Sequence, residues 1–203
     1  MDTKLIIFLV IAYFMGSIPT GVVIGKKFKG IDIREHGSKN TGATNAYRVL
    51  GKKFGIIVLL SDALKGYLPV FLAALMGIQG WQLILVGVMT IVGHTLSLFL
   101  KFKGGKGVAT SLGVFLYLVP HIVLILLAVF IVIAYFTKYI SLASVSVAGL
   151  FPILVLFMPI NPELGKWNMF IFALVIGLFV IFKHRSNIKR LLEGNENKFG
   201  TKK

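Results

Sequence analysis

Residues 107–136 read GVATSLGVFLYLVPHIVLILLAVFIVIAYF, a run without a single Lys, Arg, Asp or Glu. As one helix, at 1.5 Å per residue, it would reach about 45 Å, against a hydrocarbon core of about 30 Å. Pro120, followed by His121, stands inside the run, and proline commonly ends or kinks a helix. The stretch is therefore either one long kinked crossing or two short helices, 107–119 and 121–137. That choice sets the parity of the chain: six membrane crossings or seven, with the C-terminus on one side or the other.

Working outward, further apolar runs fall at 4–25, 54–77, 81–100, 141–160 and 167–183. With 57% hydrophobic residues and a mean hydropathy of +0.89, the composition excludes an ordinary soluble domain. The net charge of +15 arises from 22 basic and 7 acidic residues. In a soluble chain it would point to nucleic acid. Here the basic residues sit in short segments between apolar spans, the pattern of a membrane protein oriented by cytoplasmic Lys and Arg, and no nucleic-acid partner is expected. With seven crossings and the N-terminus outside, the segments 26–53, 101–106, Lys138 and 183–203 hold nineteen of the 22 basic residues inside. Only Lys4 and Lys166 lie outside, and Lys65 lies within a helix. With six crossings, Lys138 and the basic tail move outside, so the charge distribution favours seven.

The expectation is an all-α integral membrane protein with seven transmembrane helices, N-terminus outside and C-terminus cytoplasmic. It forms a single polytopic domain over 1–190, followed by a polar, frayed cytoplasmic tail over 191–203. The first helix is read as a span and not a signal peptide, because its charged flank is weak and the following loop is far more basic. Gly16, Pro19 and Gly21 interrupt it, and a broken helix needs protein or water around it, so a polar cavity is expected beside its inner end. The absence of cysteine removes disulfides and thiolate chemistry.

Four polar segments stand out, the first three punctuated by glycine: 16–21 (GSIPTG), 37–45 (GSKNTGATN), 102–110 (FKGGKGVAT) and 183–187 (KHRSN). Glycine-rich backbone can turn its N–H groups toward an anion, and adjacent Lys and Arg add charge. In the second segment, Ala43, Ala46, Tyr47 and Leu50 recur at helical spacing, opposite a stripe of Thr41, Thr44, Asn45 and Arg48. Ser38 or Asn40 is placed to cap that short interfacial helix. The third segment does not fit the nucleotide phosphate-loop pattern and no strand precedes it, so ATP chemistry is a poor reading. Lys101 and Lys103 fit simple topology charges; Lys106, held between Gly104–Gly105 and Gly107, fits an anion site better.

Elsewhere, Ser141 and Ser144 share one helix face, as do His184 and Asn187. Asp62 and Lys65, one turn apart inside a span, are expected to pair near its cytoplasmic end, because intramembrane charges are costly. His94 is placed to line the same cavity, and His121 falls at the opposite face. There is no acidic cluster or His-x-x-x-His for a metal, and no Ser–His–Asp constellation can be picked from spacing. What remains is a basic, hydroxyl-lined surface at the inner face, suited to two phosphate-bearing substrates, at least one carrying a lipid chain.

These motifs, with SLAS at 141–144 and HRSNI at 184–188, resemble the bacterial acyl-phosphate:glycerol-3-phosphate acyltransferase (PlsY) family over about residues 5–193. The resemblance implies a seven-helix enzyme of the bacterial inner membrane with its active site at the cytoplasmic face. It would transfer a fatty acyl group from acyl phosphate to the sn-1 hydroxyl of glycerol 3-phosphate, without a cofactor or metal. Carried over position by position, catalytic roles fall on Ser38, Arg48, Lys106 and His184. Substrate-binding roles fall on Asn40, Gly42, Asn45, Gly104, Gly105, Gly107, Ser141, Ser144 and Asn187. The chain also lacks the His-x-x-x-x-Asp motif of thioester-using acyltransferases: five residues after its four histidines stand Thr41, Phe99, Leu126 and Lys189. The rival reading is a membrane transporter for a phosphorylated metabolite, although transporters usually bind near the midplane and these motifs cluster at one face.

A single cysteine placed in the tail tests the parity. In intact cells it should resist a membrane-impermeant thiol reagent, and labelling there would contradict seven crossings.

Overall fold

A computed structural model describes residues 2–200. It is helical, with no strand among the described residues. The helices are α1 (Thr3–Ser17), α2 (Thr20–Lys29), α3 (Ala43–Leu50), α4 (Lys52–Leu75), α5 (Trp81–Thr95), α6 (Val108–Leu118), α7 (Pro120–Thr137), α8 (Ile140–Phe157), α9 (Lys166–Lys183) and α10 (Arg185–Leu192). Short 3₁₀ turns occupy Leu98–Leu100 and Pro162–Leu164.

Among the described residues, six helical segments are long and apolar enough to cross a bilayer: Thr3–Lys29, Lys52–Leu75, Trp81–Leu100, Pro120–Thr137, Ile140–Phe157 and Lys166–Lys183. The long run splits at Val119, with Pro120 opening α7, where its missing N–H costs nothing. The other half, α6, is apolar but has 11 residues, about 16 Å of helix, half of a hydrocarbon core.

Contacts divide the chain after Leu118 into two compact units. In the amino-terminal unit, small residues let helices meet backbone to backbone. A Cβ on Gly16 would overlap the Thr90 carbonyl, one on Gly93 the Tyr13 carbonyl, and one on Gly66 the Thr110 carbonyl. Such approaches are how helices associate where lipid offers no hydrophobic drive. Lys4 reaches the Met76 carbonyl at the α4–α5 turn. At the far end, the Ser17 hydroxyl donates to the Gly93 carbonyl and the Ser97 hydroxyl to that of Ser17. Thus α1 and α5 run in the same direction. Helix α6 runs with α4: Thr110 lies against Gly66, and the Tyr117 ring packs on Tyr67 and Phe71. Its first turn therefore meets α4 fourteen residues in from Lys52, about 20 Å along that helix. The glycine segment before α6 accordingly lies deep along α4, not beside its first turn.

The first helix breaks where expected, between Ser17 and Thr20, and Gly30 in a left-handed conformation closes α2. Under α2 and α3 lies an apolar cluster of Val22, Ile33, Ala46, Leu50, Val58 and Leu100 that anchors the first loop.

In the carboxy-terminal unit, α8 packs on α9, with Gly177 against the Ala148 carbonyl, and His121 Nε2 meets the Pro159 carbonyl at 2.7 Å. The expectation of a frayed tail is corrected. Asn195 N–H donates to the Arg190 carbonyl and Phe199 N–H to that of Lys138, and Glu196 is buried. Thr201, Lys202 and Lys203, which the expected tail includes, lie outside the described residues.

Candidate functional site

The candidate residues are shared between the two units. In the first, the loop from Ile31 to Gly42 is organised by one amide. Asn45 is buried, with its Oδ1 accepting from Ser38 N–H at 2.7 Å. Its Nδ2 faces the carbonyls of Ile33, Asn40 and His36 at 2.7, 2.8 and 3.2 Å. The position expected on an open polar stripe is thus turned inward, because a compact loop has carbonyls that no helix satisfies. Contrary to the expectation that Ser38 or Asn40 caps α3, neither side chain does so. Gly42 occupies the N-cap, and Asn40 Oδ1 accepts from Gly42 N–H at 2.9 Å, closing a local turn instead. Ser38 is exposed, and Arg48 and Thr44 are half-buried.

Asp32 anchors the start of this loop. Arg34 grips it through Nε at 3.0 Å and Nη2 at 2.6 Å, with Lys26 at 3.5 Å. Hydrogen bonding from Arg34 outweighs burial and holds the Asp32 carboxyl well below its usual value.

The third segment separates its lysines by exposure. Lys101 and Lys103 are exposed, whereas Lys106 is half-buried between buried Gly105 and Gly107. Gly104 and Gly105 donate their N–H groups to the Thr95 and His94 carbonyls, each at 3.1 Å. No side chain fits at either position: a Cβ on Gly104 would overlap the His94 carbonyl, and one on Gly105 the His94 ring. Gly107 adopts φ +88, which favours glycine, and α6 begins at the next residue. Just inside α6, the buried hydroxyls of Thr110 and Ser111 have no hydrogen-bond partner among the described residues.

Asp62 and Lys65 form a buried ion pair, Nζ to Oδ1 2.7 Å. It sits about 15–20 Å along α4, nearer the middle than the expected cytoplasmic end. Asp62 accepts from the Thr20 hydroxyl at 2.6 Å, and Lys65 donates to the Ile18 carbonyl at 2.7 Å. The pair lines a small cavity together with Ser17, Thr41, His94 and Ser97, with room for about one water molecule. Among the described residues, no group of three His, Asp or Glu is placed to hold a metal.

In the second unit, the last span ends at Lys183. His184 sits at the turn and Asn187 on the separate α10, not on one continuing helix. Both are buried, with His184 Nδ1 2.8 Å from the Val180 carbonyl. Ser144 bonds back to the Ile140 carbonyl at 2.8 Å. Ser141 donates to Glu196 Oε1 at 2.9 Å, a carboxylate that also receives Asn187 Nδ2 at 2.6 Å and Arg190 Nε at 2.7 Å. Glu196 is the residue that sequence reasoning passed over: an acid between Asn195 and Asn197 in a polar tail gave no periodic signal. Burial pushes its carboxyl up, but hydrogen bonds from Asn187, Arg190 and Ser141 win, and it lies below its usual value.

Residues 6–194 match the family described as Glycerol-3-phosphate acyltransferase. A glycerol-3-phosphate acyltransferase of Fusobacterium nucleatum is 54% identical, covering 95% of this chain and 96% of its own. That of Bacillus subtilis is 44% identical, covering 94% and 95%. The crystal structure of PlsY, an integral membrane glycerol 3-phosphate acyltransferase, in its glycerol 3-phosphate form superposes with a TM-score of 0.87 at 42% identity, covering 97% and 96%. The lysophosphatidic acid form gives 0.84 at 41%, with the same coverage.

Because the Glu196 carboxyl binds its proton more weakly folded than unfolded, its contribution is present at neutral pH and is lost as pH falls through the folded value. Glu196→Gln should lower stability at pH 7 by about 1–3 kcal/mol, read as the melting temperature in detergent. The gap to the parent should close on acidification below the usual carboxylate range. An unchanged melting temperature at pH 7 would contradict the role of this carboxylate.

Proposed function

The chain belongs to the glycerol-3-phosphate acyltransferase family, and from that premise we infer that its acyl donor is a fatty acyl phosphate. It is an integral membrane acyltransferase of phospholipid biosynthesis. In the reaction proposed, the sn-1 hydroxyl oxygen of glycerol 3-phosphate attacks the acyl carbon. The new ester bond forms, the bond from the acyl carbon to the phosphate oxygen breaks, and inorganic phosphate leaves with lysophosphatidic acid as the other product.

The observation that carries this reading is the glycine segment opening α6. Gly104 and Gly105 leave no room for side chains, Lys106 is half-buried beside them, and two buried hydroxyls without partners follow in α6. Such an arrangement suits a phosphate better than a neutral group. In this reading Lys106 and Arg48 hold phosphate and stabilise charge on the leaving group, while Gly104, Gly105 and Gly107 form the tight backbone that presents Lys106. Ser38 and Asn40 orient oxygens at the first loop, with Gly42 keeping the loop tight and Asn45 holding it in shape. Ser141, Ser144, His184 and Asn187 position glycerol 3-phosphate. The donor is a mixed anhydride with a good leaving group, so orientation and electrostatics supply much of the catalysis. The hydroxyl proton passes either to His184 or to a substrate phosphate oxygen.

Seven crossings remain the topology proposed, with the site at the cytoplasmic face of a bacterial inner membrane. Support comes from the charge distribution and from α6, which runs with α4 and carries the chain toward the side where α4 ends. The transporter reading has no support among the relatives.

Purified protein given palmitoyl phosphate and glycerol 3-phosphate, with a chelator present, should release inorganic phosphate and lysophosphatidic acid in equal amounts. Palmitoyl-coenzyme A should not substitute. Turnover with the thioester, or none with acyl phosphate in a stable lipid-supplemented preparation, would overturn the donor assignment.

A further inference from the structure

The buried Asp62–Lys65 pair is not one of the groups that the proposed reaction uses. A charge pair deep along a membrane helix is costly, and well-packed apolar residues would often be as stable. Its connections point to a purpose. Lys65 Nζ donates to the Ile18 carbonyl, one of those exposed by the break between α1 and α2, at 2.7 Å. Asp62 accepts from Thr20, on the other side of that break, at 2.6 Å. The same Asp62 oxygen lies 3.9 Å from His94 Nδ1. His94 in turn carries the glycine segment: its carbonyl accepts from Gly105 N–H at 3.1 Å, and its ring fills the space a side chain at Gly105 would need. Thr41, in the first loop, lines the same cavity.

We propose that Asp62, Lys65 and His94 form a positioning cluster that holds the Gly104–Lys106 segment in register with the broken first helix and the first loop. The inference rests on the reading of that segment as a phosphate cradle. The cluster touches no reacting atom; it acts through the backbone it fixes. Its polarity is directional. A donor is required at 65, facing a carbonyl, and an acceptor at 62, facing a hydroxyl. Hydrogen-bonding capacity at the two positions therefore matters more than the charges themselves.

Three double variants and a histidine pair separate this from a merely structural ion pair. Asp62→Leu/Lys65→Met fills the volume without hydrogen bonds. Asp62→Asn/Lys65→Gln keeps an acceptor and a donor without charge. Asp62→Lys/Lys65→Asp keeps the ion pair but sets a carboxylate against the Ile18 carbonyl. Acyl phosphate turnover, melting temperature and hydrogen exchange of a peptide covering Gly104 and Gly105 are measured for each. The Leu/Met variant should keep a melting temperature within a few degrees of the parent, lose at least tenfold in kcat/KM, and exchange faster at the glycine segment. The Asn/Gln variant should recover to within threefold of the parent; the reversed pair should not. His94→Gln should likewise exceed His94→Ala at least fivefold. Parent kinetics in a folded Leu/Met variant would overturn the proposal, and so would losses that track the folded fraction throughout the series, including in the histidine pair if Leu/Met fails to fold. Failure of the parent itself to use acyl phosphate would instead count against the reading of the cradle.

Discussion

Inside a bilayer there is no water to satisfy backbone released from a helix, so each interruption must find its partners within the protein. That constraint shapes the amino-terminal unit. The break after Ser17 exposes carbonyls, and the structure meets them with buried donors: Ser97 takes the Ser17 carbonyl and Lys65 that of Ile18. The glycine segment before α6 presents N–H groups, and the last turn of α5 receives them through the His94 and Thr95 carbonyls. Two departures from regular helix are thereby tied to one buried polar cluster, and α6 starts at depth because of it.

Backbone fixed in this way is what aiming Lys106 at a phosphate demands. A loop free to relax would surrender the preorganisation that makes such a site catalytic. The second unit uses a related device, with a single carboxylate gathering Ser141, Asn187 and Arg190. Glu196 thereby ties the tail to the start of α8 and orders side chains on two helices, α8 and α10. In both units a charged group has a structural neighbourhood, and the groups assigned to substrate sit on the framework it fixes.

Much of this was legible in the sequence, for identifiable reasons. Apolar runs bounded by Lys and Arg mark the spans, and Pro19 and Pro120 fall at the breaks, although Pro69 and Pro152 stand inside α4 and α8. Asp62 and Lys65 announced their pairing by spacing alone. What escaped depends on distant parts of the chain. Asn45 shares a helical stripe with Arg48, and nothing in that periodicity shows that the preceding loop folds back over its amide. Glu196 lies in a polar segment whose partner Ser141 is 55 residues away, beyond any local pattern. The turn at His184 likewise divides two helices that hydropathy reads as one boundary.

The central claim is that a half-buried lysine and arginine on this framework stabilise the phosphate during acyl transfer, whereas neighbouring lysines only orient the protein in the membrane. Turnover of Lys106→Ala, Arg48→Ala and Lys103→Ala, at matched amounts of folded protein, tests it most directly. The first two should each lose about 2–4 kcal/mol of transition-state stabilisation, roughly 30- to 1,000-fold in rate, while Lys103→Ala stays within a few-fold of the parent. Small and equal losses for all three would contradict the account.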